Sequence, residues 1–221
     1  MERHPSLPYI LPFAVFILFL AIAPQLDFLG RWEFPLRVFV LAAVLAFFSR
    51  SVLDFRAPHL LGSIGLGVAV FAIWIAPDFL IPGYREHWLF QNSITGQIRS
   101  SIDGSLRSDW MVLLFRSIRA VVLVAIIEEL FWRAWLMRWI INNDFRRVPL
   151  GTHTAASMWI TALLFASEHG PYWDVGLIAG LLYNWWMTRT RSLGDCIVAH
   201  AVTNACLCAY VITTGRWEYW L

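Results

Sequence analysis

The run AVVLVAIIEELFWRAWLMRW, residues 120–139, decides how the rest of the chain is read. It is long enough to cross a bilayer, because a spanning helix needs about 20 mostly apolar residues. Yet Glu128, Glu129 and Arg133 sit near its middle. A charge at that depth costs at least ~2.5–3.5 kcal/mol on insertion scales, so these groups must offset one another or be put to use.

Composition agrees that lipid is the solvent. The chain is 59% hydrophobic and 14% charged, against about 45–50% and about 25% in soluble domains. Trp32, Trp88, Trp110, Trp139, Trp217 and Trp220 flank apolar runs, where interfacial aromatics belong. No hydrophilic segment is long enough to fold alone. The expectation is one integral membrane domain over 1–221, with N-terminal helices and a polar connector over 1–109 and motif-bearing helices over 110–215. All 17 basic residues are arginines and they are dispersed, which argues against a nucleic-acid partner. Cys196, Cys206 and Cys208 fall in one apolar run without metal-ligand or disulfide-scaffold spacing, and read as packing residues. The N-terminal apolar run is followed by further spans and reads as an uncleaved first helix.

Apolar runs at 9–29, 36–53, 60–77, 110–140, 154–170, 174–188 and 195–214 predict about seven helices. An eighth arises if the long 110–140 run breaks, so the fold class is an all-α polytopic transmembrane bundle of seven to eight helices. Pro58, Pro77, Pro149 and Pro171 punctuate these runs. Residues 78–109 are polar and too long for a simple turn; a lid, a short interfacial helix and a plain connector all fit. Arginines in short loops favour an inside N-terminus by the narrow margin of eight to six.

Three helices of the C-terminal half carry polar groups at helical spacing: Glu128-Glu129-x-x-x-Arg133, Phe165-x-x-x-His169 and His200-x-x-x-Asn204. Glu129/Arg133, Phe165/His169 and His200/Asn204 are each i,i+4 pairs on one face. Glu128 points about 100° away from Glu129, so the two glutamates have different tasks. If Arg138, Gly151 and Arg191 mark one membrane surface, Glu128, His200 and Asn204 lie roughly 13–20 Å deep, and His169 roughly 27 Å, at 1.5 Å per residue. A later helix start near Ala155 or Ala156 brings His169 to roughly 20 Å. A shared intramembrane site follows.

A carboxylate and an imidazole can together deprotonate a water. A second imidazole and a carboxamide can donate to a developing oxyanion. An arginine keeps a neighbouring carboxylate ionised. These are parts for acyl hydrolysis without a covalent nucleophile. Ser167 lacks a nucleophile-elbow context. Ser167-Glu168-His169 has the wrong order and spacing for an H-E-x-x-H zinc site, so neither a metal nor another cofactor is expected.

The three motifs, in this order on successive apolar helices, resemble the CPBP (ABI) family of CAAX proteases and bacteriocin-processing enzymes, which includes type II CAAX prenyl endopeptidases. Ser192-Leu193-Gly194 ahead of His200 resembles the family's third-motif context. The resemblance covers roughly residues 120–210. It implies an intramembrane glutamate protease in which Glu128 and His169 activate water, His200 and Asn204 form the oxyanion hole, and Glu129, Arg133 and Phe165 support the site. Ala134 stands where the family usually has glycine, and Trp132 where it commonly has phenylalanine. EELFWRAWLMRW and the TGRW ending also resemble a bacterial subgroup found beside exosortase sorting systems.

The expected function is therefore endopeptidase cleavage of a protein or peptide substrate in the membrane by a Glu/His-activated water. The implied location is multi-pass, in the bacterial inner membrane and its lipid bilayer, with a functional link to an exosortase-type system. Two rivals use the same residues. One is a non-catalytic membrane protein, for bacteriocin immunity or as a partner scaffold, that holds helices together with the polar cluster. The other is a proton-coupled transporter, which the lack of paired broken helices argues against.

Overall fold

The computed structural model describes residues 4–220. Its described residues form seven helices and no strand: α1 Leu7–Ala21, α2 Glu33–Val44, α3 Leu60–Leu80, α4 Trp110–Trp139, α5 Ala155–Ser167, α6 Trp173–Thr190 and α7 Leu193–Thr214. Helices long and apolar enough to cross a membrane are Ala23–Ser49, Leu60–Leu80, Trp110–Trp139 and Leu193–Thr214; α1 and α5 are apolar but shorter. The chain is an all-helical integral membrane protein. Its outward residues agree: Phe39, Phe47, Leu61 and Phe79 are strongly exposed, an apolar surface that lipid covers without cost.

The long apolar run stays one helix, so no eighth helix arises. It is not uniform. Arg119–Val124 and Trp132–Leu136 are wound as wider π-type turns on either side of Ala125–Phe131. Such turns interrupt the regular hydrogen-bond ladder and free backbone groups for other partners.

The first run is shorter than its hydropathy predicts. Instead of 9–29, the helix stops at Ala21, and Ala23–Trp32 follows as a tight 3-10 segment with Pro24 in its first turn. Proline is at home in a first turn, where its missing N–H costs nothing. Gly30, at φ 51°, then turns the chain into α2. Pro77 lies inside the last turn of α3 rather than after it, and α3 continues to Leu80. The fifth helix starts at Ala155, one residue after 154, because Thr154 and Ser157 form a capping box. It ends at Ser167, short of the expected 170.

Close approach is built on small residues, as membrane bundles require. A Cβ on Gly67 of α3 would lie 2.4 Å from the Ala199 carbonyl of α7. One on Gly180 of α6 would lie 3.1 Å from Phe165 and 3.2 Å from Ala162 of α5. At the far end of the α3–α7 seam, the buried Asp195 accepts hydrogen bonds from the His59 backbone (3.0 Å) and the Ser63 hydroxyl (2.9 Å). The nearby 54–56 turn docks its Arg56 carbonyl on Ser192. Within that turn Arg56 hydrogen-bonds Asp54 and draws its carboxyl down to about 2.

The polar connector is neither a long helix nor a loose loop. Arg85, almost fully buried, donates to Asp174 (2.6 Å), the Pro171 carbonyl (2.7 Å) and Asp78 (3.2 Å). Its guanidinium lies over the Tyr172 ring at 4.3 Å. This one side chain clamps the connector to the ends of α3 and α6, beside His169.

Candidate active site

The three motifs converge because α4, α5, α6 and α7 are tied by one hydrogen-bond network. Glu129 and Arg133 are fully buried. Arg133 Nη1 donates to Glu129 Oε1 at 3.1 Å, the expected i,i+4 pair. Arg133 Nε also donates to Asn184 Oδ1 (3.1 Å) and Nη2 to the Gly180 carbonyl (3.3 Å), both on α6. Asn184 in turn donates to the Met158 carbonyl of α5. The guanidinium lies against the faces of Phe165 (4.6 Å) and Tyr183 (5.3 Å). Phe165 is therefore a wall for the arginine as well as a neighbour of His169.

Glu129 has a second partner that helix geometry alone did not reveal. His200 Nδ1 lies 2.8 Å from the same Oε1. An ionised carboxylate only accepts, so Nδ1 carries the proton in that contact and Nε2 faces away from Glu129. The His200 ring stacks on Tyr183, centroids 5.1 Å apart. The Tyr183 hydroxyl donates to Thr203 Oγ1 at 2.7 Å.

His169 stands just beyond the end of α5, not within it. Its Nδ1 is 2.8 Å from the Phe165 carbonyl. A carbonyl accepts, so Nδ1 is again the protonated nitrogen, and Nε2 is left as the basic one. The i,i+4 spacing of Phe165 and His169 thus serves two contacts: this backbone bond and a ring approach of 4.7 Å. Gly176 admits the His169 side chain, because a Cβ there would meet its Cβ, Cγ and Nδ1 at 3.3 Å.

Glu128 is 5% exposed, and its Oε2 has no hydrogen-bond partner. It opens on a cavity of about 240 Å³ that is also lined by Glu168, His169, His200 and Asn204. The cavity thus gathers the four residues expected to carry the chemistry, while the three expected to support it lie around it or in its wall. Asn204 donates through Nδ2 to the Ala120 carbonyl at 2.8 Å. That carbonyl belongs to the π-type turn of α4, so the irregular turn holds the carboxamide in place.

Three further arginine or glutamate side chains line the same cavity: Arg116, Arg119 and Glu168. The arginines are legible as charges in an apolar stretch, just upstream of the run that starts at residue 120. Glu168 belongs to no i,i+4 polar pair in the sequence, so spacing alone does not single it out. Among the described residues, no three His, Cys, Asp or Glu side chains are grouped to hold a metal ion.

Residues 110–206 match the family model described as Type II CAAX prenyl endopeptidase Rce1-like. The match spans α4 to most of α7 and includes every motif residue, though less than half of the chain. It makes the chain similar to CAAX-protease-like membrane proteases. No curated protein and no solved structure matches it.

Proposed function

We propose that this chain is an intramembrane endopeptidase that hydrolyses a peptide bond of a membrane-associated substrate with a water activated by Glu128 and His169. The observation that carries the reading is that Glu128, which keeps a buried carboxylate oxygen without a partner, lines a cavity shared with two imidazoles and a carboxamide. A buried polar atom without a partner is costly to keep, and active sites are where such atoms persist.

In the proposed reaction, the Glu128–His169 pair takes a proton from water as its oxygen attacks the scissile carbonyl carbon. The carbonyl oxygen becomes an oxyanion. His200 Nε2 and the second Nδ2 hydrogen of Asn204 donate to it. The proton held by the pair then passes to the amide nitrogen as the C–N bond breaks. For this role His200 carries a proton on both nitrogens, with Glu129 as counter-ion through Nδ1. Glu128, Glu129, Arg133 and His200 then sum to no net charge, which suits a site inside a bilayer. Glu129, Arg133 and Phe165 position the imidazole and touch no reacting atom.

The non-catalytic reading, immunity or scaffolding, draws support from the Glu129–Arg133–Asn184 network, which together with His200 ties four helices. It leaves the open carboxylate of Glu128 without a use. The bacterial inner membrane and the exosortase-associated subgroup rest on the sequence resemblance alone. The deciding experiment is cleavage of a peptide library by the detergent-solubilised chain with Glu128→Gln, His169→Ala and His200→Ala, with and without a chelator. Loss of cleavage in the first two, with chelator insensitivity, supports this mechanism; full activity in both overturns it.

A further inference from the structure

His169 stands past the end of α5, where the helix no longer fixes its side chain. Its Nδ1 is tied to the Phe165 carbonyl at 2.8 Å. One bond at Nδ1 leaves the ring free to tilt, and Nε2, the nitrogen the proposed chemistry uses, moves with it. The groups around the ring therefore set its alignment. Phe165 approaches it at 4.7 Å. Trp74 of α3 meets it edge to face, with centroids 5.1 Å apart and planes at 69°. Trp74 also lines the catalytic cavity.

Trp74 is backed in turn by the connector clamp. Its ring stacks on Tyr172, with centroids 6.3 Å apart and planes within 18°. Tyr172 is buried and carries the Arg85 guanidinium over its face at 4.3 Å. Arg85 is fixed by Asp174 and Asp78. Asp78 is the i,i+4 partner of Trp74, so one face of α3 presents both the ring and the carboxylate. Asp78 Oδ2 also accepts from the Tyr219 hydroxyl at 3.0 Å. Arg85, Tyr172, Trp74 and His169 thus run in unbroken contact from the connector to the imidazole. A cation over a ring, an offset stack and an edge-to-face pair are all favourable contacts.

We infer that Trp74 is a positioning residue for His169, held in place by the docked connector through Arg85 and Tyr172, so that the imidazole is aligned only while the connector is clamped. Trp74 touches no reacting atom. What His169 does is taken from the peptidase reading, but its alignment is measured without cleavage. Arg85 has a second route to His169, its bond to the Pro171 carbonyl at 2.7 Å. The two routes are separable, because only the ring stack passes through Trp74.

Two readouts on the full-length chain in detergent test this. The first is solvent exchange of the His169 Nδ1 proton, followed by NMR on chain labelled with 15N-histidine and identified as the signal that His169→Ala removes. Trp74→Leu and Arg85→Met are each expected to speed exchange by about threefold to tenfold, the worth of one ring contact. Trp74→Phe is expected to stay with the parent chain. The His200 Nδ1 proton, bonded to Glu129, is the control and is expected to stay unchanged throughout. Trp74→Leu/Arg85→Met is expected to exchange no faster than the faster single variant, because residues acting in series do not add. The second readout is cleavage, where Trp74→Leu is expected to lower kcat by about tenfold with KM unchanged. Unchanged exchange in both single variants, additive effects in the double variant, or exchange at His200 rising in step with His169 overturns the inference. If Trp74→Leu does not fold, Arg85→Met, which leaves every ring of the stack in place, decides by the same exchange measurement. Cleavage that survives Glu128→Gln sinks the peptidase reading and leaves the exchange result standing, so the two failures are told apart.

Discussion

His200 Nδ1 and Glu129 Oε1 lie 2.8 Å apart, and the same oxygen takes Arg133 at 3.1 Å. One carboxylate thus orients an imidazole on α7 and neutralises a guanidinium on its own helix. Glu129→Gln can keep a bond to His200 but leaves Arg133 buried without a counter-charge. Removing one partner of a buried pair costs about 3–5 kcal/mol. Thermal unfolding in detergent is expected to show that loss for Glu129→Gln, and part of it regained in Glu129→Gln/Arg133→Met. Equal melting of Glu129→Gln and the parent chain would contradict the structural role.

Gly176 and Gly67 separate positioning from folding. A methyl on Gly176 presses the His169 ring at 3.3 Å, close enough to shift it by a few tenths of an ångström. Misplacement by 1 Å costs about 100-fold in rate, so Gly176→Ala is expected to slow cleavage by about tenfold with melting unchanged. A methyl on Gly67 meets the Ala199 carbonyl at 2.4 Å. Overpacking costs about 1–3 kcal/mol, and Gly67→Ala is expected to lower melting first. The ratio of activity to melting across the two variants checks the distinction.

Arg85 is the clamp of the connector. Arg85→Met leaves Asp78 and Asp174 without their cation and is expected to free residues 81–109 from the helix ends. Limited trypsin digestion of sealed vesicles reads this directly, as faster cutting at the exposed Arg99. An unchanged digestion rate would mean that other contacts hold the connector.

Much of this was legible in the sequence because spacing on a helix is geometry. Residues 128, 129 and 133 divide into two faces at any membrane depth, and the cavity has Glu128 on one side and the Glu129–Arg133 pair behind it. What spacing cannot convey is the tertiary partner: nothing local links Glu129 to His200 or Arg133 to Asn184, which lie on other helices. Hydropathy also misjudges ends. It ran the first helix through Pro24 to residue 29, although the proline's backbone demands outweigh the apolar neighbours, and it carried α5 past Ser167. Asn204 meets α4 through a π-type turn, and no residue pattern announces such a turn.

The central claim is that the two adjacent glutamates divide chemistry from support. Glu128 lines the cavity and has a buried oxygen without a partner, so Glu128→Gln keeps the side chain's shape and breaks no bond to that oxygen. The most direct measurement is cleavage of the peptide library together with thermal unfolding for Glu128→Gln. The account predicts cleavage abolished and a melting temperature equal to or above that of the parent chain. Full cleavage, or loss of cleavage only together with a collapse in melting temperature, would contradict it.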